Sequence, residues 1–137
     1  MGLIYTDLTL DNVHRPDLAP LEVNALVDSG AMHLCLPRAI ASQLELAVHD
    51  QRTITYADGR SEAVDYVGPV RVKFANRQCF VGALVTGDQA LLGAIPMEDM
   101  DLVINPARRT VTVNPAHPNM AASVAMGFRT QHQDRGE

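Results

Sequence analysis

Short apolar runs separated by turn residues extend along most of the chain. Val, Ile, Leu and Thr dominate these runs, a pattern typical of many short strands. We predict strands or apolar strand-like runs at Leu3–Leu10, Leu21–Asp28, Met32–Pro37, Arg52–Tyr56, Glu62–Val67, Pro69–Phe74, Cys79–Thr86, Ala90–Ile95, Leu102–Ile104 and Thr110–Val113. Two short helices are expected, from Pro37 and from Pro96, because proline is tolerated at the first helical position. The pattern predicts a mostly-β domain folded as a small closed or half-closed barrel.

Two turn signals join neighbouring strands into hairpins. Ala57–Arg60 contains Asp-Gly between strand-like runs, which is a strong short-range hairpin signal. Asn105–Arg108 places a proline at a favoured turn position between the last two strands. The periodicity is lost from His117 onward. We therefore expect one domain over residues 1–115 and a flexible C-terminal tail over residues 116–137.

Composition and charge exclude several functional classes. The 137 residues suffice for one domain with its own core, and 47% apolar with 20% charged residues fits a globular protein. A net charge of −5 without a Lys/Arg block argues against nucleic-acid binding. No segment has the apolar length of a membrane span, and the N-terminus lacks the features of a signal peptide. We expect a cytoplasmic protein in which Cys35 and Cys79 are buried thiols, although a disulfide between them is possible.

One acidic residue lies inside the apolar stretch "NALVDSGAMHLCLP". Asp28 ends a predicted strand, where a carboxylate needs hydrogen-bond donors. Gly30 permits a tight turn whose N–H groups can supply them, and Ser29 adds a hydroxyl. Such a turn serves either as a local Asx turn or as the mount of a catalytic carboxylate. A second apolar element, "LLG" at Leu91–Gly93, followed by a short helix, favours the catalytic interpretation.

Three motifs together resemble the single-domain, retropepsin-like aspartic proteases. They are "ALVDSGA" (Ala25–Ala31), "TYADGR" (Thr55–Arg60) and "ALLGAIPMEDMDLVINP" (Ala90–Pro106), and the resemblance covers the chain from about Leu21 to Val113. It is closest to the bacterial members of the family. The resemblance implies an acid-protease-like barrel with one lobe per chain.

The resemblance also assigns roles to residues. It implies that Asp28 is catalytic, that Ser29 braces the two active-site loops, and that Gly30 lets the loop approach the substrate. The "LLG" strand would pack beneath the Asp loop. The hairpin would form a flap over a bound peptide. The implied substrate-binding residues are Ala31, Tyr56, Ala57, Asp58 and Gly59.

Catalysis by this family needs two aspartates that share one proton, so the two carboxyl groups titrate as a coupled pair. Asp134-Arg135-Gly136 has the letters of a second motif, but no apolar strand precedes it. The second aspartate must then be Asp28 of another copy, which implies a homodimer with the site on its two-fold axis. Retroviral enzymes carry an arginine where this chain has Ala94. The dimer must therefore be held differently, for example by strands Leu3–Leu10 or Thr110–Val113.

Other chemistries have weaker support in the sequence. The five histidines have no metal-ligand spacing, so we expect neither a metal nor a cofactor. Cys35 is better explained as a buried thiol than as a nucleophile. Tyr56 could hydrogen-bond across the cleft or pack across the hairpin. We expect a peptide or protein substrate. The alternative is a non-catalytic peptide- or protein-binding module on the same barrel.

Overall fold

The computed structural model describes residues 2–125. Nine strands and two helices lie within that range. The strands are β1 (Tyr5–Asn12), β2 (Leu21–Val27), β3 (Leu34–Leu36), β4 (Val48–Thr55), β5 (Ser61–Phe74), β6 (Arg77–Val85), β7 (Ala90–Leu92), β8 (Leu102–Asn105) and β9 (Thr110–Val113). The helices are α1 (Arg38–Gln43) and α2 (Ala94–Asp99). None of the described helices is long and apolar enough to cross a membrane.

Six strands close into a barrel, which confirms the predicted fold class. Their order is β1-β2-β7-β3-β6-β5, and a β1–β5 pairing closes the ring. β4 pairs with β5 outside the ring, and β8 and β9 form a separate antiparallel hairpin. β7 lies between β2 and β3, parallel to the first and antiparallel to the second. This insertion holds together the two strands that flank Asp28.

Aliphatic side chains fill the barrel interior. Leu8, Leu10, Leu34, Leu36 and Leu92 are almost completely buried. Burial of each such side chain contributes about 2 kcal/mol. The alternation in β1 matches its predicted face, since Ile4, Leu8 and Leu10 all point inward. Both cysteines are buried and free, as one of the two sequence-based interpretations held.

Two strands predicted to be separate form one. β5 runs without interruption through Gly68–Pro69, and its register with β6 shifts between Val67 and Val70. Proline has no backbone N–H to donate to the neighbouring strand, but at a bulge its position needs no such hydrogen bond. The shift therefore accommodates a residue that the sequence pattern treats as a strand boundary.

Both helices begin at a different residue from the one predicted. Pro37 caps α1 from outside, so the helix starts at Arg38. α2 starts at Ala94, two residues before Pro96. The early start depends on residues distant in the chain. The N–H groups of Ala94 and Ile95 donate to the carbonyls of Ala31 and Met32, in the loop that follows Asp28, at 2.8 and 2.9 Å. These bonds satisfy donors that a helix N-terminus otherwise leaves free.

The first residues of the predicted tail are tied to the end of α2. The Asp101 carboxylate accepts hydrogen bonds from Asn114 Nδ2, His117 Nδ1 and Ala122 N at 3.1, 2.7 and 3.0 Å. The buried Arg77 side chain donates to the His117 carbonyl. The remainder of the predicted tail, residues 126–137, lies outside the described residues.

Replacing Asp101 by Asn should remove a pH-dependent part of the stability. The Ala122 N–H, the Asn114 amide and the His117 ring lower the pKa of Asp101 from 3.8 to about 2. A depressed carboxyl pKa stabilises the folded state above the unfolded value, and this contribution is lost as the pH falls toward 2. The gap in unfolding free energy between wild type and variant should thus shrink between pH 5 and pH 2, as measured by urea denaturation. A gap that stays constant over this range would contradict the assignment.

Candidate active site

A tight turn at the end of β2 carries Asp28. The backbone N–H of Val27 donates to the Ile4 carbonyl at 2.8 Å, and that of Asp28 donates to the Leu92 carbonyl at 3.0 Å. The Ala31 N–H then closes the turn on the Asp28 carbonyl at 3.1 Å. Two hydrogen bonds to other segments and one within the turn thus fix the backbone on which the carboxylate stands.

The Asp28 carboxylate is only half-buried. Its Oδ1 accepts a hydrogen bond from the Gly30 N–H at 3.0 Å, and no bond to Oδ2 is present within residues 2–125. Ser29 and Gly30 are exposed. Leu26 and Val27, the last two residues of β2, are also only half-buried. The strand end borders solvent here, which leaves one carboxylate oxygen available for chemistry.

Gly93 forms the support under the Asp loop. A Cβ placed on Gly93 would lie 2.3 Å from the His33 carbonyl oxygen and 2.8 Å from that of Ala31. The two carbonyls at 31 and 32 accept the first N–H groups of α2, as described above. The "LLG" element therefore packs against the loop backbone with no room for a side chain. This agrees with the supporting role that the resemblance implies.

A small apolar cluster joins β3, β6 and β7 to the β4–β5 hairpin. Cys35, Val64 and Leu84 are its buried members, and Ile54, Tyr66 and Leu91 pack against them. Burial and the nearby Asp28 charge both raise the pKa of the Cys35 thiol. The thiol is therefore neutral and inert, as the sequence predicted, and lies close enough to sense the carboxylate.

The β4–β5 hairpin ends in a tight turn at the predicted position. The Tyr56 N–H donates to the Arg60 carbonyl at 2.8 Å, and Gly59 adopts a positive φ of 89° that favours glycine. The Asp58 carboxylate accepts bonds from the Arg60 N–H and Nε, both at 2.9 Å. Ala57, Asp58 and Gly59 are exposed. In the described state Asp58 thus stabilises its own turn.

Tyr56 anchors this hairpin to the barrel. Its hydroxyl donates to the Glu62 carboxylate and lies 3.1 Å from the Thr86 hydroxyl at the end of β6. The Arg60 guanidinium covers the ring at 4.5 Å from the centroid. The hydroxyl thus bonds across the hairpin to Glu62 and to the barrel at Thr86.

The structure divides the predicted site residues into two groups. Asp28, Ser29, Gly30 and Ala31 form one turn held by Gly93, whereas Tyr56 and the residues at the hairpin tip form another unit held by Thr86. Sequence analysis missed Thr86 and Glu62. A hydroxyl that ends the apolar run "GALVT" is the only signal for Thr86, and it gives no information on its partner.

Comparisons with known proteins agree with this geometry. A family model described as aspartyl protease matches residues 17–76, which include the Asp turn and the β4–β5 hairpin. Among solved structures, EIAV protease complexed with the inhibitor HBY-793 has a similar fold, with a TM-score of 0.53 and 20% sequence identity. The match covers 72% of this chain and 88% of that chain. A search of curated proteins found no match.

The two positive findings are independent, since one rests on sequence and the other on backbone geometry. The family match includes the residues that carry the carboxylate, and the structural match covers 72% of this chain. Residues 17–76 are thus similar in sequence to the aspartyl proteases, and the barrel has the fold of a retroviral protease.

Proposed function

We propose that the protein is an aspartic endopeptidase whose active site contains Asp28 from each of two subunits. In this mechanism one carboxylate takes a proton from a water molecule that attacks the scissile carbonyl. The other carboxylate holds a proton and donates it to the developing oxyanion. Two carboxylates this close share one proton and titrate as a coupled pair. The substrate is a peptide or an unfolded segment of a protein.

The observation that carries the proposal is the way the turn presents its carboxylate. The backbone of Asp28 is fixed by bonds to two other segments, while Oδ2 has no partner within residues 2–125. A purely local Asx turn would not need the support of Gly93 or the early start of α2. Ser29 directly follows Asp28 and is exposed, so a second subunit could approach its hydroxyl.

The separate hairpin is the best candidate for the dimer contact. β1 already pairs with β2 on one edge and, through Thr9–Asn12, with β5 on the other. Its capacity to recruit a second chain is therefore limited. β8 and β9 pair only with each other among the described strands, which leaves free edges for strand addition. We propose that Thr110–Val113, rather than Leu3–Leu10, contributes to the dimer.

The test combines mass in solution with a peptide-library digest at several pH values. We expect a dimer at working concentration and cleavage with a defined sequence preference. A strict monomer that cleaves nothing would favour the peptide-binding module. We also propose a cytoplasmic location, which the two unpaired thiols support.

Replacing Tyr56 by Phe should weaken catalysis without unfolding the protein. The change removes only the hydroxyl that joins the hairpin to Glu62 and Thr86. If the hairpin acts as a flap, its closed position becomes less populated, and we expect kcat/KM to fall about tenfold with an unfolding free energy within about 1 kcal/mol of wild type. Steady-state kinetics and urea denaturation measure the two quantities.

A matched control is Tyr5→Phe, because Tyr5 is an exposed tyrosine in β1, away from the hairpin. Its kinetics should equal those of wild type. Equal kinetics for Tyr56→Phe would show that the bridge has no role in turnover.

A further inference from the structure

A cavity of about 240 Å³ lies beside the Asp loop and is not used by the mechanism above. Leu34, Val81 and Pro96 contribute to its apolar lining, and Phe80 and Ile95 border it with 56% and 41% of their surface exposed. The cavity adjoins the catalytic turn, because the Ile95 N–H is bonded to the Asp loop. Large exposed apolar side chains around a concave surface indicate a binding site.

His33 and Tyr66 are polar residues of the cavity lining, and Arg52 lies next to the lining, against Tyr66. The Tyr66 ring lies against Gly82, where a Cβ would come within 2.3 Å of the ring carbon that bears the hydroxyl. The Arg52 guanidinium stands over the ring face at 4.1 Å from its centroid. The His33 ring meets the Tyr66 ring edge-on, with 6.1 Å between centroids and an interplanar angle of 78°.

Hydrogen-bond donors of these side chains have no partner among the described residues. Within residues 2–125 neither the His33 ring nor the Tyr66 hydroxyl makes a hydrogen bond, and the nearest carboxylate to Arg52 is Asp50 at 3.7 Å. Burial and the Arg52 charge both lower the pKa of His33, so the two groups lie close enough to interact. A guanidinium, an imidazole and a phenol that face one place are suited to an anionic acceptor.

We propose that His33, Tyr66 and Arg52 form an accessory subsite that binds an acidic side chain of the peptide substrate. The inference rests on the proposed function and names a substrate preference for the same cleft. Tyr66 also packs against the apolar cluster that joins β3, β6 and β7 to the β4–β5 hairpin, and Cys35 of this cluster lies close enough to Asp28 for that charge to raise its pKa. A peptide lying along that cluster would therefore reach the subsite several residues from its scissile bond.

The surroundings favour glutamate or aspartate over a neutral side chain. Arg52 supplies the positive charge of this site, because its contact with the exposed Asp50 is long at 3.7 Å, whereas His33 contributes a neutral ring that can donate a hydrogen bond. The apolar lining accommodates the methylene groups of the acidic residue while its carboxylate meets the donors. Complementary charge of this kind contributes mainly to specificity.

The test compares peptides that differ only by Glu or Gln. Two positional libraries, with Glu or Gln fixed at each position in turn, are titrated against Asp28→Asn, so that binding is measured without hydrolysis. We expect Glu to bind about threefold to tenfold more tightly than Gln at one position away from the scissile bond. This preference should weaken as salt is raised.

Variants of single residues show which side chains cause the preference for Glu over Gln. Combined with Asp28→Asn, Arg52→Gln should remove it, and His33→Asn should reduce it. Arg38→Gln should retain it, because Arg38 is an exposed arginine paired with Asp65. Arg52 lies on the exposed strand β4, so its replacement should not affect folding, and a melting curve verifies this.

Equal binding of Glu and Gln peptides at every position, or a preference that survives in Arg52→Gln, would overturn the subsite. Cleavage by the wild-type protein is recorded separately. A Glu preference in binding without any cleavage would leave the subsite in place and reject the proposed function. Cleavage without a Glu preference would support the proposed function and reject the subsite.

Discussion

Replacing Asp28 by Asn should abolish peptide cleavage and leave the fold intact. The amide cannot take a proton from water or share one with a second carboxylate, so we expect kcat to fall by at least about a thousandfold. The amide oxygen can still accept the Gly30 N–H that now binds Oδ1, so the unfolding free energy should change by no more than about 1 kcal/mol. Steady-state kinetics and urea denaturation measure the two effects.

A matched control is Asp88→Asn, since Asp88 is an exposed carboxylate in the loop between β6 and β7. This variant should cleave like wild type. Cleavage by Asp28→Asn at the wild-type rate would reject the catalytic assignment. Loss of activity accompanied by unfolding would show instead that the carboxylate is structural.

The same variant tests whether the site is shared between subunits. When wild type is mixed with an excess of Asp28→Asn and the subunits exchange, most wild-type chains enter mixed dimers with one carboxylate. Activity should then follow the square of the wild-type fraction. Activity proportional to the fraction itself would place a complete site in one chain and exclude the two-subunit dyad.

Much of the fold follows from local pattern. The alternation of Leu8 and Leu10 in β1, the Asp-Gly turn at Asp58-Gly59 and the apolar run at Ala90–Leu92 each identify an element without knowledge of the rest. The sequence also singled out Asp28, because an isolated acid in an apolar run is costly unless a turn satisfies it.

The features that were missed depend on distant partners. α2 starts at Ala94 because the Asp loop accepts its first N–H groups, and this loop lies some sixty residues earlier in the chain. The bond between Tyr56 and Thr86 and the contacts of Asp101 with Asn114 likewise join separate elements. Propensity and spacing carry no information about such pairs, so these contacts could be found only from the structure.

Replacing Gly93 by Ala should displace the backbone of the loop that carries Asp28. The new methyl group would meet the carbonyl oxygens of His33 and Ala31 at 2.3 and 2.8 Å. Both oxygens belong to the backbone, and the Ala31 oxygen is held by the Ala94 N–H, so the clash cannot be relieved by a side-chain rotation. We expect a loss of about 3 kcal/mol in unfolding free energy and a melting temperature lower by roughly 10 °C. Cleavage should also fall at temperatures where the variant is folded, because the loop that bears Asp28 must move.

Gly87→Ala separates this steric effect from the ordinary cost of replacing a glycine. Gly87 has a positive φ of 76° but nothing within 4 Å of the added methyl group, so only backbone strain of about 1 kcal/mol is expected. Gly93 has an extended backbone that alanine adopts without strain, so its cost must come from contact with the loop. If Gly93→Ala proved no less stable than Gly87→Ala and cleaved normally, the "LLG" element would not position the carboxylate. A larger loss of stability in Gly93→Ala together with lost activity would show that the placement of Asp28 depends on a residue with no side chain.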